Sequence, residues 1–338
     1  MALGFSGLFS RDVGIDLGTV NTLIARRDYG IILREPSMVA LDHEKRIIAV
    51  GKDAIGMLGR APGAVRIVNP LQEGVVADYR LCEAMLRHFL EKSLGNFVRR
   101  AGVRAVLCVP GCVTDVEKRA LEEAARNAGA RAAFLLDEPV AAAIGAGLPV
   151  EEAAGSLVVD IGGGTTDAAV LALGGVVEKH SVRAGGTHIN MALMQYVRNT
   201  YGLSIGVRTA EEIKITLGSA LPGSTKRMEV RGRELSSGLP RTLTLTGMEV
   251  YRAILPQLLQ IISCVREVLS VTPPELAGDI YDRGMCLTGG GALLNGLPEL
   301  FMAETGIMAY VAEQPLDCVV EGARIAVENI SYYRGRAV

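Results

Sequence analysis

Residues 157–172 read LVVDIGGGTTDAAVLA. An apolar run ends on Asp160, three glycines and two threonines follow Ile161, and a second apolar run begins at Ala168. This is the pattern of a strand, a tight turn and a returning strand. Glycine lets backbone N–H groups approach a phosphate, and threonine hydroxyls add donors. Residues 12–26, DVGIDLGTVNTLIAR, repeat the logic: Asp16, Gly18 and Thr19 stand in the same order as Asp160, the glycines and Thr165. The copies start about 145 residues apart, too long for a solenoid and suited to one domain type used twice, with a site between the copies.

A third glycine turn, Gly289-Gly290-Gly291, follows the apolar residues 285–287. One such turn is usually a plain hairpin. Three at strand ends, two of them preceded by Asp, point to a nucleotide. A triphosphate brings Mg²⁺, a hard cation that keeps several waters and takes few carboxylates. Asp16 and Asp160 suit that task; the alternative is that each caps its own turn. Glu138 follows the apolar residues 134–136 and precedes Pro139, which disfavours helical geometry in the residue before it. A carboxylate there can orient an attacking water, or serve only as an acid at a helix N-terminus. No GxxxxGK[ST] loop and no dinucleotide fingerprint is present.

Strand and helix signals alternate, which indicates an α/β architecture. Helical patterns cover 81–97, 114–127, 139–147, 191–201, 209–218 and 248–269. Strands are expected at 103–109, 134–136 and 285–287, with a strand-rich stretch at 222–246 broken by Gly223, Gly232 and Gly238. Thr114 and Glu117 form a capping-box signature. The 338 residues suggest roughly two domains. With 35 Lys and Arg against 37 Asp and Glu, the net charge of −2 excludes a strongly basic nucleic-acid binder. Apolar residues make up 49% of the chain, enough for a sizeable core or a large interface. The most apolar stretches, 157–177 and 135–150, are interrupted by Asp160, Asp167, Asp137, Glu138 and prolines, so no spanning helix is expected. Residues 1–10 lack the cationic start of a secretory signal, and the cytoplasm is the expected location. The six cysteines form no CxxC pair and read as buried thiols.

DLGTVNT at 16–22, LLDEPVAAAIGAGLPV at 135–150, VVDIGGGTTD at 158–167, TAEEIK at 209–214 and LTGGGALLNGLPEL at 287–300 together resemble the actin, sugar kinase and heat-shock chaperone ATPase superfamily. Within it the chain resembles the MreB family of bacterial actin homologues, the rod-shape-determining proteins and their paralogues, over roughly residues 12–330. The resemblance implies an actin-like fold of two ribonuclease-H-like domains around a nucleotide cleft, each with a smaller subdomain. The implied subdomains are 1–32 with 66–145 and 315–338; 33–65; 146–181 with 246–314; and 182–245.

The implied ligands are ATP or ADP and Mg²⁺, with Asp16 and Asp160 serving the metal through water. Gly18, Thr19, Val20 and Asn21 would face the phosphates from one side, and Gly162, Gly163, Gly164 and Thr165 from the other, with Gly185 and Gly186 beside them. Glu138 matches the residue that positions the hydrolytic water. Glu211 and Lys214 match the pair beside the nucleoside; three residues apart, they share a helix face. Gly289, Gly290, Gly291 and Ala292 match the adenosine loop. Some positions depart from the family pattern. Thr187 and Asn190 stand where acids are usual, Asp137 and Asp167 where glutamates are usual, and Gly322-Ala323-Arg324 replaces a more glycine-rich segment. They bear on hydrolysis more than on binding, and a slow ATPase is expected.

By resemblance, the chain polymerises on the inner membrane face and guides cell-wall synthesis. Its partners would be further copies of itself, the membrane and proteins of the elongation machinery. Leu94 and Phe97, between Lys92 and Arg99-Arg100, suit an anionic bilayer surface, or else end a helix inside the core. Leu3, Phe5, Leu8 and Phe9 offer a second anchor. The rivals are a small-molecule kinase on the same fold, a chaperone-type ATPase and a weakly hydrolysing scaffold.

Overall fold

The computed structural model describes residues 12–59, 63, 65–95 and 102–330. Two compact units divide the chain: Met1–Glu151 with Gly174–Val176 and Asp317–Val338, and Glu152–Leu173 with Val177–Leu316.

The first unit opens with β1 (Val13–Leu17), β2 (Asn21–Arg26) and β3 (Gly30–Pro36). It continues through β4 (Val39–Leu41), β5 (Ile47–Val50), α1 (Lys52–Gly56), β6 (Arg66–Val68), β7 (Leu71–Gln72) and β8 (Val75–Val76). Then come α2 (Tyr79–Leu94), β9 (Val103–Val109), α3 (Asp115–Asn127), β10 (Ala130–Asp137) and α4 (Glu138–Gly145). The second large sheet is entered at β11 (Ser156–Ile161), β12 (Thr166–Ala172) and β13 (Gly175–Val182). α5 (Gly186–Tyr201), β14 (Leu203–Ser204), α6 (Val207–Leu217), β15 (Arg227–Glu234) and β16 (Pro240–Thr246) follow. The rest is α7 (Gly247–Val271), α8 (Pro274–Arg283), β17 (Met285–Thr288), α9 (Leu297–Thr305) and β18 (Ala309–Val311), before α10 (Cys318–Glu328) returns to the first unit.

The large sheets run β10-β9-β1-β2-β3 and β13-β12-β11-β17-β18. Each is an antiparallel meander of three strands whose first strand also pairs in parallel with a later one. The repeat read from the two Asp-Gly-Thr segments is therefore a repeat of topology. It holds at single-residue register: Leu17 pairs with Thr22 and Ile161 with Thr166, so residues 18–21 and 162–165 are equivalent connections. Smaller sheets, β5-β4-β6 and β14-β15-β16, accompany them.

The capping box of α3 is formed, with Thr114 and Glu117 exchanging bonds at its start. α10 packs on α4 at very short range. A Cβ on Gly322 would lie 1.8 Å from the carbonyl oxygen of Ala141, and one on Gly145 would lie 1.8 Å from that of Cys318. Only backbone fits there, so these glycines serve helix packing.

Several expectations are corrected. The strand at 134–136 is longer, Ala130–Asp137, because its parallel pairing with β9 extends over both strands. Gly232 does not break the 222–246 region. It lies inside β15, where a Cβ would meet the Ser204 carbonyl at 2.5 Å, so the glycine permits the close approach of β14. α7 is long and apolar enough to cross a membrane, which the sequence reading did not single out. Val250, Ile254, Leu258, Ile261, Val265 and Val268 recur at helical spacing and are buried in the core of the second unit. Leu94 ends α2 and is buried in the first unit's core, so its side chain is not exposed to a bilayer. Phe97 and the N-terminal Leu3, Phe5, Leu8 and Phe9 lie outside the described residues. None of the six cysteines is in a disulfide. Burial pushes the Cys82 and Cys264 thiols up to about 12.

Candidate functional site

In the first unit, β1, β9 and β10 run parallel, with Asp16 paired to Cys108 and Leu136 paired to the same Cys108. Asp16 therefore ends its strand level with the Asp137-Glu138 corner, two strand spacings away, or about 10 Å. Ligands of α/β sheets gather at this carboxyl edge. Asp137 is the N-cap of α4, and Glu138 is its first residue; both are buried. The turn at 18–21 is braced from outside. Ser37 donates its hydroxyl to the Gly18 carbonyl at 2.6 Å, the Gly74 N–H donates to Thr19 Oγ1 at 3.0 Å, and Asn69 donates to the Thr19 carbonyl. A Cβ on Gly18 would sit 2.8 Å from the Asn21 carbonyl. Val20 and Asn21 remain exposed at the tip.

In the second unit, β11 and β17 run parallel, with Asp160 beside Thr288. The Gly162 and Gly289 turns thus leave the same edge of one sheet. Thr288 donates its hydroxyl to Asp160 Oδ1 at 2.8 Å. Asp160 therefore takes a partner from another strand. It is 4% exposed, and burial pushes its carboxyl up to about 7, with the Thr288 hydroxyl opposing the rise and Asp167 adding to it. Asp167 lies directly opposite on β12 and accepts from the Ser181 hydroxyl. A buried acid whose ionised form is this costly is the donor type a divalent cation suits.

The Gly162 N–H closes the turn on the Thr165 carbonyl at 2.9 Å. The first two N–H groups of α5 then tie it down: Gly186 donates to the Gly162 carbonyl at 3.0 Å and Thr187 to the Gly163 carbonyl at 2.8 Å. In a trans peptide the C=O and the next N–H point in opposite directions. With both carbonyls turned toward α5, the N–H groups of Gly163 and Gly164 point away from it, as a nest for an anion requires. Gly185 allows the approach, since a Cβ there would meet the Gly162 and Gly163 carbonyls at 2.6 and 2.8 Å. The Gly186 N–H is engaged by the loop, so Gly185 and Gly186 brace the cradle.

Lys214 donates to Glu211 Oε2 at 2.8 Å and to the Gly186 carbonyl at 3.3 Å, and Asn190 donates to the same Glu211 oxygen at 2.7 Å. The pair on α6 is thereby wired to the 162–165 turn. Gly289, at φ +77°, presses on Ile161: a Cβ would meet the Ile161 carbonyl at 2.4 Å, and one on Gly291 would meet Ile161 Cγ2 at 2.1 Å. Gly290 and Ala292 continue as a short 3-10 turn, with Ala292 buried. Thus Asp160, the 162–165 turn, Gly185, Gly186, Glu211, Lys214 and residues 289–292 form one connected set in the second unit. Asp16, residues 18–21 and Glu138 form another in the first.

Thr288, Ser181, Ser37, Asn69 and Gly74 were missed as supports. Thr288 carries a signal, since it stands between the apolar strand and the triple glycine; the others carry none locally. A cavity of about 650 Å³ between α3 and β10 is lined by Asp115, Lys118, Glu122, Arg126 and Asp137, and by none of the glycine turns. The residues present fit a nucleotide: the N–H groups of Gly163 and Gly164 point away from α5, and the Glu211 carboxylate and Lys214 ammonium are joined to the loop through Gly186.

The family model for MreB/Mbl protein matches residues 10–334. The chain is 51% identical over 337 residues to the cell shape-determining protein MreB of Escherichia coli K12, covering 98% of this chain and 97% of that protein. It is 44% identical over 327 residues to the cell shape-determining protein Mbl of Bacillus subtilis 168, covering 96% and 97%. MreB5 of Spiroplasma citri bound to AMPPNP superposes with a TM-score of 0.90 at 34% identity, covering 96% of this chain and 97% of that one. A MamK double helical filament, at 21% identity and a TM-score of 0.79, shares the fold. With the actin-like fold, the duplicated hairpins and near full-length relatives in agreement, the chain belongs to the MreB/Mbl family.

Proposed function

We propose that this chain is an ATP-binding, filament-forming actin homologue that determines cell shape and guides wall synthesis from the inner face of the cytoplasmic membrane. The observation that carries it is the glycine turn at 162–165, held by α5 with its N–H groups outward and joined through Gly186 and Lys214 to Glu211. Nucleotide binding draws support from the S. citri MreB5 structures with AMPPNP and ADP. Polymerisation draws support from the MamK filament. A bound Mg²⁺ would neutralise phosphate charge. Asp160 suits its hydration shell by burial and charge; Asp16 and Glu138 take their roles from family membership. Thr165 closes the loop and offers a hydroxyl. Turnover is slow, and Thr187 and Asn190 leave the nucleotide with two fewer nearby negative charges than the family pattern. The subdomain limits given above, with the three-stranded sheets as the small subdomains, are part of this reading. Elongation-machinery proteins and an anionic membrane are the partners, Phe97 and the N-terminal apolar residues being the anchors.

Titration calorimetry with Mg·ATP, and electron microscopy of purified protein with ATP and anionic vesicles, test this. Saturable binding and vesicle-bound filaments are expected. Absence of ATP binding refutes the site, and binding without filaments refutes the cytoskeletal role.

A further inference from the structure

We propose that Thr288 is a positioning residue: its hydroxyl holds the Asp160 carboxylate in one orientation, and that orientation sets how strongly Mg²⁺ adds to nucleotide binding. The inference rests on the reading of Asp160 as the acid that serves the metal. Thr288 is the last residue of β17 and is fully buried. Its hydroxyl carries one proton. Two acceptors lie within reach, Asp160 Oδ1 at 2.8 Å and the Val159 carbonyl at 3.5 Å. The nearer acceptor is also the charged one, and charge-assisted bonds are the stronger. The proton therefore goes to Asp160.

Asp160 needs that anchor. Among the described residues this is the only hydrogen bond to its side chain. The terminal torsion of an aspartate is broad, so the strand alone leaves the plane of the carboxylate open. Asp167 sits directly opposite on β12, bonded to the Ser181 hydroxyl, and like charges in that position repel. A carboxylate under such repulsion turns away unless something holds it.

Thr288 is itself held. Leu287 pairs with Val159 and Thr288 with Asp160 in parallel register. Beyond them the Gly289 N–H donates to the Pro315 carbonyl at 2.8 Å. Cβ atoms on Gly289 and Gly291 would meet Ile161 at 2.4 and 2.1 Å, so the loop after Thr288 already grips the residue after Asp160. The donor thus comes from a strand with little room to shift. A valine would fill a buried strand position equally well. What the hydroxyl adds is a bond to one carboxylate oxygen. Partners that orient a metal-serving carboxylate contribute about tenfold to a hundredfold in metal affinity.

The test is calorimetric titration of wild type, Thr288→Val and Thr288→Ser with ATP, once in excess Mg²⁺ and once in EDTA. Thr288→Val keeps the branched shape and removes the donor; Thr288→Ser keeps the donor. Mg²⁺ should strengthen ATP binding by the wild type. Thr288→Val should weaken binding in Mg²⁺ by about tenfold or more and leave the affinity in EDTA nearly unchanged. Thr288→Ser should stay close to wild type in both. Equal losses with and without Mg²⁺ would leave Thr288 a packing role only. A Thr288→Val variant with the full Mg²⁺ gain, or a Thr288→Ser variant that loses it as Thr288→Val does, overturns the role of the hydroxyl. A wild type that binds ATP equally in Mg²⁺ and in EDTA removes the metal reading of Asp160 and the proposal with it. One that binds no ATP sinks the nucleotide reading itself. Melting curves accompany the titrations, and Thr288→Ala takes the place of Thr288→Val if the latter does not fold.

Discussion

Thr187 donates its backbone N–H to the carbonyl of Gly163, 24 positions earlier in the chain, at 2.8 Å. With the neighbouring bond from Gly186 to Gly162, it sets the direction in which the glycine loop presents its own N–H groups. A helix start is usually an anion site itself. Here its first donors are used to orient a second set of donors.

Gly185 is the position most sensitive to that arrangement. Its φ of −173° suits any residue, so the constraint is contact alone. Gly185→Ala should displace the loop and lower ATP affinity by about tenfold or more, with a modest fall in melting temperature. Calorimetric titration checks it; an unchanged affinity would mean that the loop carbonyls need no anchor.

Glu138 is buried at the first residue of α4, on the edge reached by Asp16. Glu138→Ala should slow phosphate release by about a hundredfold or more and retain ATP binding. Equal turnover in variant and wild type refutes the water-positioning role.

Glu35 on β3 ties two helices together. Lys92 of α2 bonds Oε1 at 2.8 Å, and the first N–H of α1, from Lys52, bonds Oε2 at 2.7 Å. Burial alone would raise the Glu35 carboxyl, but the Lys92 and Lys52 contacts outweigh it and hold it below the ordinary value. A carboxyl depressed in the folded state contributes stability above its unfolded pKa, near 4.3, and loses it as pH falls through the lower folded value. Glu35→Gln should therefore cost about 2 kcal/mol at pH 7, and the gap to wild type should close below about pH 4. Urea melts across that range would show it; a gap independent of pH assigns the cost to packing.

Two glycines in helices give a paired test of close packing. Gly322→Ala would set a Cβ 1.8 Å from the Ala141 carbonyl and should destabilise by about 3 kcal/mol or more. Gly278 on α8 meets nothing within 4 Å, and Gly278→Ala should be neutral or stabilise by up to about 1 kcal/mol. Thermal melts that rank them the other way contradict the α4–α10 contact.

The amino-acid sequence by itself determined the features written in neighbouring residues. The Asp-Gly-Thr hairpins and the capping box at Thr114 depend on local hydrogen bonding and on a period of two or 3.6, and both formed where the chain spells them. The tertiary structure alone decided which strand lies beside which, and with it the partners of the site. Thr288 reaches Asp160 from 128 positions away in the chain, and Gly186 reaches Gly162 from 24. It also decided that Leu94 turns inward, that Gly232 stays in a strand and that the apolar length of α7 is core. Such outcomes follow from sheet register and from which surface each element meets, and no stretch of neighbouring residues carries that information.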